Sequence, residues 1–198
     1  MFILGLTGSI GMGKTTTARL FAEAGVPIYD ADAAVHELYE SEAGPAIEAA
    51  FPGTTRDGKV DRGMLGRHIT GDAPALRILE TIVHPLVREA EKRFLAEAER
   101  SGVKVALLDI PLLFETGGES RVDAVVVVSA PAKVQRDRVL ERGISADQFE
   151  ALLARQMPDA EKRRRADFVV DTSQGIGPAR AQVLSILVAV AKMPTRRQ

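Results

Sequence analysis

Gly8-Ser9-Ile10-Gly11-Met12-Gly13-Lys14-Thr15 follows directly on the apolar run Phe2-Ile3-Leu4-Gly5-Leu6 and leads into a helical stretch from Thr15 to Ala24. The spacing is G-x-x-x-x-G-K-T between a buried strand and a helix, the context a phosphate-binding loop requires. Glycines let successive backbone N–H groups turn inward as a concave nest with no side chain in the way. The helix that begins there adds unpaired N–H groups and the positive end of its dipole. Lys14 is placed to reach β- and γ-phosphates, and the Thr15 hydroxyl to take one position on Mg²⁺. The bland alternative is a glycine-rich strand-to-helix turn.

Composition narrows the class. The 198 residues are 45% hydrophobic, enough for a sizeable core. A net charge of −1 and a pI near 6.3 give no footprint for nucleic acid or an anionic membrane. With no cysteine there is no disulfide, thiol nucleophile or thiolate metal site. The N-terminal apolar run is short, lacks a preceding basic residue and ends in the loop, unlike a secretory signal. No stretch approaches the ~20 apolar residues of a membrane span. The expectation is a soluble, cytoplasmic protein without nucleic-acid or membrane partners, a monomer or weak homo-oligomer.

Strand-length apolar runs alternate with helical stretches, which predicts an α/β fold with a parallel sheet flanked by helices. Five strands are expected, at 2–6, 26–29, 103–108, 124–128 and 168–170. Helices are expected at 15–24, 32–39, 74–99, 132–142, 146–156 and 177–191. Gly and Pro punctuate short helical pieces between Ser41 and Thr70, an excursion from the core. The tail from Pro194 to Gln198 reads as frayed. Residues 1–40, 101–132 and 166–198 then form a nucleotide-binding core, 41–100 a helical insertion, and 133–165 a charged helical insertion shaped as a lid.

In such sheets ligands sit beyond the carboxyl ends of the strands, so chemistry is sought in the loops leaving those ends. Asp30 and Asp32 leave the second strand. Two carboxylates there can accept a hydroxyl proton or hold Mg²⁺ through water, or simply cap the next helix. Asp32, which opens that helix, is the preferred functional candidate. Asp109 ends the third strand, where a Mg²⁺ carboxylate is expected in a phosphate-loop protein. Leu112 to Phe114 read as packing, and Glu115 as a solvated loop charge or a ligand contact. Arg138 and Arg142 share a helix face, either folding over a triphosphate or facing solvent. Arg155 and the Lys162-Arg163-Arg164-Arg165 run read more simply as surface. His84 before Pro85 suggests a helix break and a wall of an acceptor site, or a purely structural position. The three histidines, His36, His68 and His84, lack metal-ligand spacing.

Taken in order, these segments resemble the dephospho-coenzyme A kinase family nearly end to end. The resemblance rests on Leu6 to Thr15, Asp30-Ala31-Asp32, Asp57 to Arg62, Leu79-Glu80, His84-Pro85, Asp109 to Glu115, Gln135 with Arg138 and Arg142, Arg155-Gln156, and Ala166-Asp167. It implies a phosphate-loop nucleoside-triphosphatase core like that of nucleoside monophosphate kinases, a helical coenzyme-binding domain and a mobile lid. It implies transfer of phosphate from ATP, with Mg²⁺, to the ribose 3′-hydroxyl of dephospho-coenzyme A. Gly8, Gly11, Met12, Gly13, Lys14, Thr15 and Thr16 would hold ATP, and Thr15 and Asp109 the metal. Asp32 would face the acceptor hydroxyl, and Lys14, Arg138 and Arg142 would serve the transfer. Arg62, His84, Leu112 and Phe114 would join Asp32 at the acceptor. Two departures stand out: Ser9 where the family often has glycine, and Thr172 where it usually has Asn near the adenine.

Rival readings make different demands. Another small-molecule kinase shares the loop and the arginines but gives no reason for Asp61-Arg62, His84-Pro85 or the segment from Pro111 to Glu115. A GTPase needs N-K-x-D, which does not occur. A non-catalytic nucleotide-binding regulator would be expected to have lost one of Lys14, Thr15, Asp32 or Asp109.

Overall fold

The computed structural model describes residues 1–196, so Arg197 and Gln198 of the tail lie outside the described residues. Contacts divide the chain into two compact units: Met1–Tyr29 with the chain from Ala98 onward, and Asp30–Glu97.

The first unit is built on a five-stranded sheet flanked by helices, with β1 (Phe2–Thr7), β2 (Ile28–Asp30), β5 (Val105–Asp109), β6 (Ala124–Ser129) and β7 (Phe168–Asp171) in the order β2-β5-β1-β6-β7. Pairing is parallel, with Leu4 opposite Leu107 and Ala124, and Val127 opposite Val169. All five strands expected from sequence are present to within a residue or two at most ends. The central pair β1 and β6 is buried at every residue, which is why their sequences are unbroken apolar runs rather than alternations. Leu4, Leu6, Val126 and Val128 are completely buried in one core with Phe21, Val183 and Ile186. Each such side chain contributes roughly 1.5–3 kcal/mol on burial. The helices here are α1 (Lys14–Glu23), α6 (Ala132–Glu141), α7 (Ala146–Leu153), α8 (Asp159–Arg165) and α9 (Ile176–Val190).

Two aspartates fasten the amino ends of the central strands. Asp123 accepts from Ile3 N at 2.7 Å and from Arg196 N at 2.8 Å. Asp167 accepts from Val125 N at 2.8 Å, and its other oxygen pairs with the Arg196 guanidinium at 2.6 Å. The tail through Arg196 is therefore tied down where fraying was expected.

The second unit holds α2 (Ala31–Tyr39), α3 (Gly44–Ala50), a hairpin of β3 (Thr55–Arg56) and β4 (Lys59–Val60), α4 (Arg62–Ile69) and most of α5 (Ala73–Arg100). Its own core gathers Leu38, Ile47, Phe51, Val60, Leu65, Leu79 and Val83. The hairpin was missed, although its signal was present. Asp57 and Gly58 both have positive φ (51° and 79°) at the two-residue turn, as a type I′ turn demands. The helix break expected at Pro85 does not occur. α5 runs 28 residues through it. An interior proline costs about 3 kcal/mol. Burial of Leu79 and Val83, with Leu86 and Val87 packed against the same cluster, holds the helix through that cost.

Candidate active site

The phosphate loop owes its shape to three glycines. Gly11 and Gly13 lie in the left-handed region at φ 78° and 93°. A Cβ on Gly8 would stand 2.7 Å from the Val128 carbonyl oxygen, and one on Gly11 2.9 Å from the Gln135 carbonyl oxygen. Ser9, at the departure from the usual glycine, is not among the positive-φ residues and is buried. Gly13 is the N-cap of α1, which has no side-chain cap and no acidic residue in its first turn. The unpaired N–H groups of that turn are left for an anion. Thr15 is exposed there, and Thr16 half-buried. Met12 enters the site by its backbone alone. Its side chain is buried, and its sulfur accepts from Ala130 N at 3.1 Å.

Lys14 and Asp109 meet. Nζ and Oδ1 are 2.6 Å apart, with Asp109 almost wholly covered at the end of β5. Thr7 Oγ1 donates to the Pro111 carbonyl at 2.9 Å, fixing the exit from β5 beside the loop. Among the described residues no cluster of three or more His, Asp or Glu forms a metal cage. Thr15 and Asp109 offer one hydroxyl and one carboxylate. That donor set fits Mg²⁺, which keeps several waters and takes its other oxygens from phosphates.

α6 is fastened to this loop at two points. Gln135 Nε2 donates to the Ile10 carbonyl at 2.8 Å. Arg138 donates to Thr172 Oγ1 at 2.8 Å and to the Thr172 carbonyl at 2.7 Å. The Thr172 hydroxyl gives its single proton to the Met12 carbonyl at 2.7 Å. Arg138 is thus no solvated helix face. It belongs to a relay ending on the phosphate loop, and sequence gave no sign of it beyond the departure at Thr172. Arg138 and Arg142 both line a cleft of about 490 Å³ with Gly13, Thr16, Thr172 and Gly175. Residues 133–165, the expected lid, belong to the first unit.

The carboxyl side of β5 corrects two expectations. Glu115 is not the free loop charge of the simpler expectation. Its side chain pairs with Lys162, Nζ to Oε1 2.9 Å, and Lys162 is completely buried. Burial pushes the Glu115 carboxyl up, but the Lys162 ammonium beside it and a hydrogen bond from Met157 N carry it below the usual range. The basic run is not plain surface either. The Arg165 guanidinium lies 4.6 Å from the Phe114 ring centroid and pairs with Glu119. Phe114 is buried beneath it, and Leu112 is exposed.

Three expected site residues fall in the second unit. Asp30, not Asp32, caps α2, accepting from Asp32 N at 2.9 Å and Ala33 N at 3.0 Å. The Asp32 side chain is left exposed on the first turn, free of capping duty. Arg62 opens α4, where Asp61 is the cap, and is exposed. His84 is exposed on α5 beside a groove with Arg77, Arg88 and Lys92.

The dephospho-CoA kinase family model matches residues 2–177. A curated dephospho-CoA kinase of Rhodopseudomonas palustris (strain BisB18) is 65% identical over the whole of both chains. The chain belongs to the dephospho-CoA kinase family. A solved structure of a Thermus thermophilus protein superposes with a TM-score of 0.82 at 34% identity, covering 97% of this chain and 98% of that one. The dephospho-CoA kinase of Campylobacter jejuni shares the fold at a TM-score of 0.67 and 22% identity, covering 95% and 96%. Family membership makes the chain a kinase, and it gives the loop, Lys14 and Asp109 their chemical setting. The expected phosphate-loop α/β fold and the expected family both stand.

Proposed function

We propose that this kinase transfers the γ-phosphoryl group of ATP to the ribose 3′-hydroxyl of dephospho-coenzyme A, giving coenzyme A and ADP. The observation that carries this reading is the unblocked, uncapped start of α1 with Lys14 beside Asp109, in a chain of this family. Phosphoryl transfer asks for positioning and charge stabilisation more than covalent chemistry. Gly8 and Gly11 to Thr16 hold the phosphates on backbone N–H groups, and Lys14 neutralises charge gathering on the transferred group. The cleft lined by Arg138 and Arg142 takes the nucleoside, a reading supported by its continuity with Gly13 and Thr16 of the phosphate loop. Thr15 and Asp109 would hold Mg²⁺, which would supply further charge neutralisation for the transfer.

Asp32 orients and deprotonates the acceptor hydroxyl. Capping falls to Asp30, which leaves the Asp32 carboxylate on the first turn of α2 free of capping, its charge favoured there by the helix dipole. Arg62, His84, Leu112 and Phe114 are assigned to the rest of the acceptor, the helical segment 41–100 to the coenzyme, and 133–165 to a lid. The protein works in the cytoplasm as a monomer or weak homo-oligomer. No described helix is long and apolar enough to cross a membrane.

A coupled ADP-release assay across dephospho-coenzyme A, AMP, CMP and gluconate tests the acceptor. ADP above background with dephospho-coenzyme A alone is expected, and release with another acceptor instead overturns the assignment. Asp32→Asn keeps size but cannot take a proton. Turnover should fall about a hundredfold to ten-thousandfold with an unchanged melting midpoint.

A further inference from the structure

Lys162 is a completely buried lysine in a run of exposed arginines. Lysine is almost never fully buried unless paired, because an ammonium stripped of water is costly. Its charged partner is Glu115, in the loop that follows Asp109, at 2.9 Å. Among the described residues no acceptor meets the ammonium with good hydrogen-bond direction, so the contact is an ion pair in poor solvent. A pair of this kind is weak evidence for stability, since an apolar pair of like volume often serves the fold as well. Some other use is to be sought.

The surroundings indicate which use. The seven residues from Gln156 to Lys162 bond in succession to two loops and a strand end at the carboxyl edge of the sheet. Gln156 Oε1 accepts from Ile10 N of the phosphate loop at 3.2 Å, across 146 positions of sequence. Met157 N donates to Glu115 Oε1 at 2.8 Å, on the same oxygen that faces Lys162. Asp159 Oδ2 accepts from Ser129 Oγ, at the end of β6, at 2.7 Å. One short segment thereby sets the phosphate loop, the Asp109 loop and the end of β6 against each other.

We propose that Lys162 is a positioning residue for phosphoryl transfer: its buried pairing with Glu115 locks residues 156–162 across the carboxyl edge, and so fixes the phosphate loop relative to Asp109. The proposal deepens the kinase reading above and rests on it. Lys162 touches no reacting atom. It acts through Glu115 on the loop carrying Asp109, and through the segment's first residue, Gln156, on Ile10. The charge contact of the wholly buried Lys162 adds to this register, since Gln156 and Asp159 bond through single, part-buried hydrogen bonds. Misplacing reacting groups by about 1 Å costs on the order of a hundredfold in rate. Binding of ATP, spread over many backbone N–H groups, tolerates such a shift far better.

The test uses the full chain with Lys162→Met, Glu115→Gln and the double variant, each assayed below its own melting midpoint. The readouts are kcat, KM for ATP and KM for dephospho-coenzyme A per folded molecule. Lys162→Met should lower kcat about tenfold to a hundredfold while KM for ATP stays within about threefold. The double variant removes the uncompensated carboxylate and should recover the melting midpoint without recovering kcat. Equal recovery of both, or a folded Lys162→Met with kcat within twofold of wild type, overturns the proposal. Where Lys162→Met fails to fold, Glu115→Gln decides. Gln still accepts from Met157 N but offers no charge to Lys162, so a several-fold loss in kcat supports the proposal and a wild-type kcat sinks it. Absence of wild-type turnover with dephospho-coenzyme A breaks the acceptor assignment instead, and the same ratios are then read on whichever acceptor releases ADP.

Discussion

The phosphate loop and the segment from Gln156 to Arg165 both serve the carboxyl edge of one sheet, yet they are built in opposite ways. The loop is made of backbone. Gly11 and Gly13 supply dihedrals other residues avoid, and what the loop offers is N–H donors and an uncapped helix end. The segment is made of side chains, whose partners Ile10, Glu115 and Ser129 are distant in sequence. A backbone device leaves a local pattern of residue types at fixed spacing. A side-chain network leaves none, because each partner is fixed only once the sheet has brought it near. Substitutions in the loop should therefore strike chemistry or backbone strain, and those in the segment should strike register.

The sharpest break in this comparison is Lys14→Ala. It removes the one side-chain charge the loop contributes, and stabilisation of developing charge at such a point is worth about 3 kcal/mol or more. Turnover per folded molecule should fall at least about a hundredfold. The melting midpoint should fall as well, since Asp109 is only 3% exposed and loses the ammonium at 2.6 Å. Near-normal turnover would show that the loop works by backbone alone.

Gly11→Ala asks how much of the loop is dihedral and how much is space. An L-residue at φ 78° costs roughly 1–2 kcal/mol. The added Cβ would also stand 2.6 Å from Val139 Cγ2 and 2.9 Å from the Gln135 carbonyl oxygen. Gly143, at φ 80°, has nothing within 4 Å of the same atom, and so carries the dihedral cost alone. Gly143→Ala should lose about 1–2 kcal/mol, and Gly11→Ala about 3 kcal/mol or more. Equal losses in denaturant titrations would mean that α6 yields freely, and that its bonds to the loop hold little.

The same division explains what was legible in the sequence. All five sheet strands, the phosphate loop and the role of Asp109 as a strand-end carboxylate near it follow from local pattern. The hairpin at Asp57-Gly58 was equally local and was overlooked in favour of helical pieces. Pro85 misled because a propensity of known size was outweighed by burial of Leu79 and Val83, which only the folded unit supplies. Sequence alone favours Asp32 over Asp30 for function, but which of the two caps α2 is legible only in the cap geometry, since either spacing suits an N-cap. Lys162 and Glu115 were invisible for the strongest reason. Burial of a charge depends wholly on a partner distant in sequence, and composition counts both as surface.

Thr172→Val tests the weakest join between loop and side-chain network. Valine keeps the shape but has no hydroxyl, so the Met12 carbonyl loses its donor and Arg138 keeps only the Thr172 carbonyl. The loss should be about 1–2 kcal/mol, the scale of a buried polar group left unpaired. KM for ATP should rise several-fold, because Arg138 and Thr172 both line the cleft proposed for the nucleoside, while kcat changes little. A fall in kcat with KM unmoved would reassign Arg138 from the cleft wall to the transferred phosphate.

At the small end stands Arg136, which pairs with Glu150 between α6 and α7 at 3.2 Å. Drawn as a contact it resembles the Lys162–Glu115 pair, for both join an arm of the 133–165 segment to another element through a single charge contact. The difference lies in the solvent. Arg136 and Glu150 side chains are 46% and 64% exposed, whereas Lys162 is wholly buried. In water the attraction is screened, and ordering two long side chains offsets most of it, leaving a typical net of about 0–1 kcal/mol. α7 does not depend on the pair for its start, which is fixed by the Ser145 capping box. Arg136→Ala should thus shift stability by no more than about 0.5 kcal/mol, leave kcat and both KM values unchanged, and lose even that shift in high salt. A loss above about 1 kcal/mol, or a changed kcat, would mean that exposed pairs also set register here, and burial would cease to be the feature that marks Lys162 out.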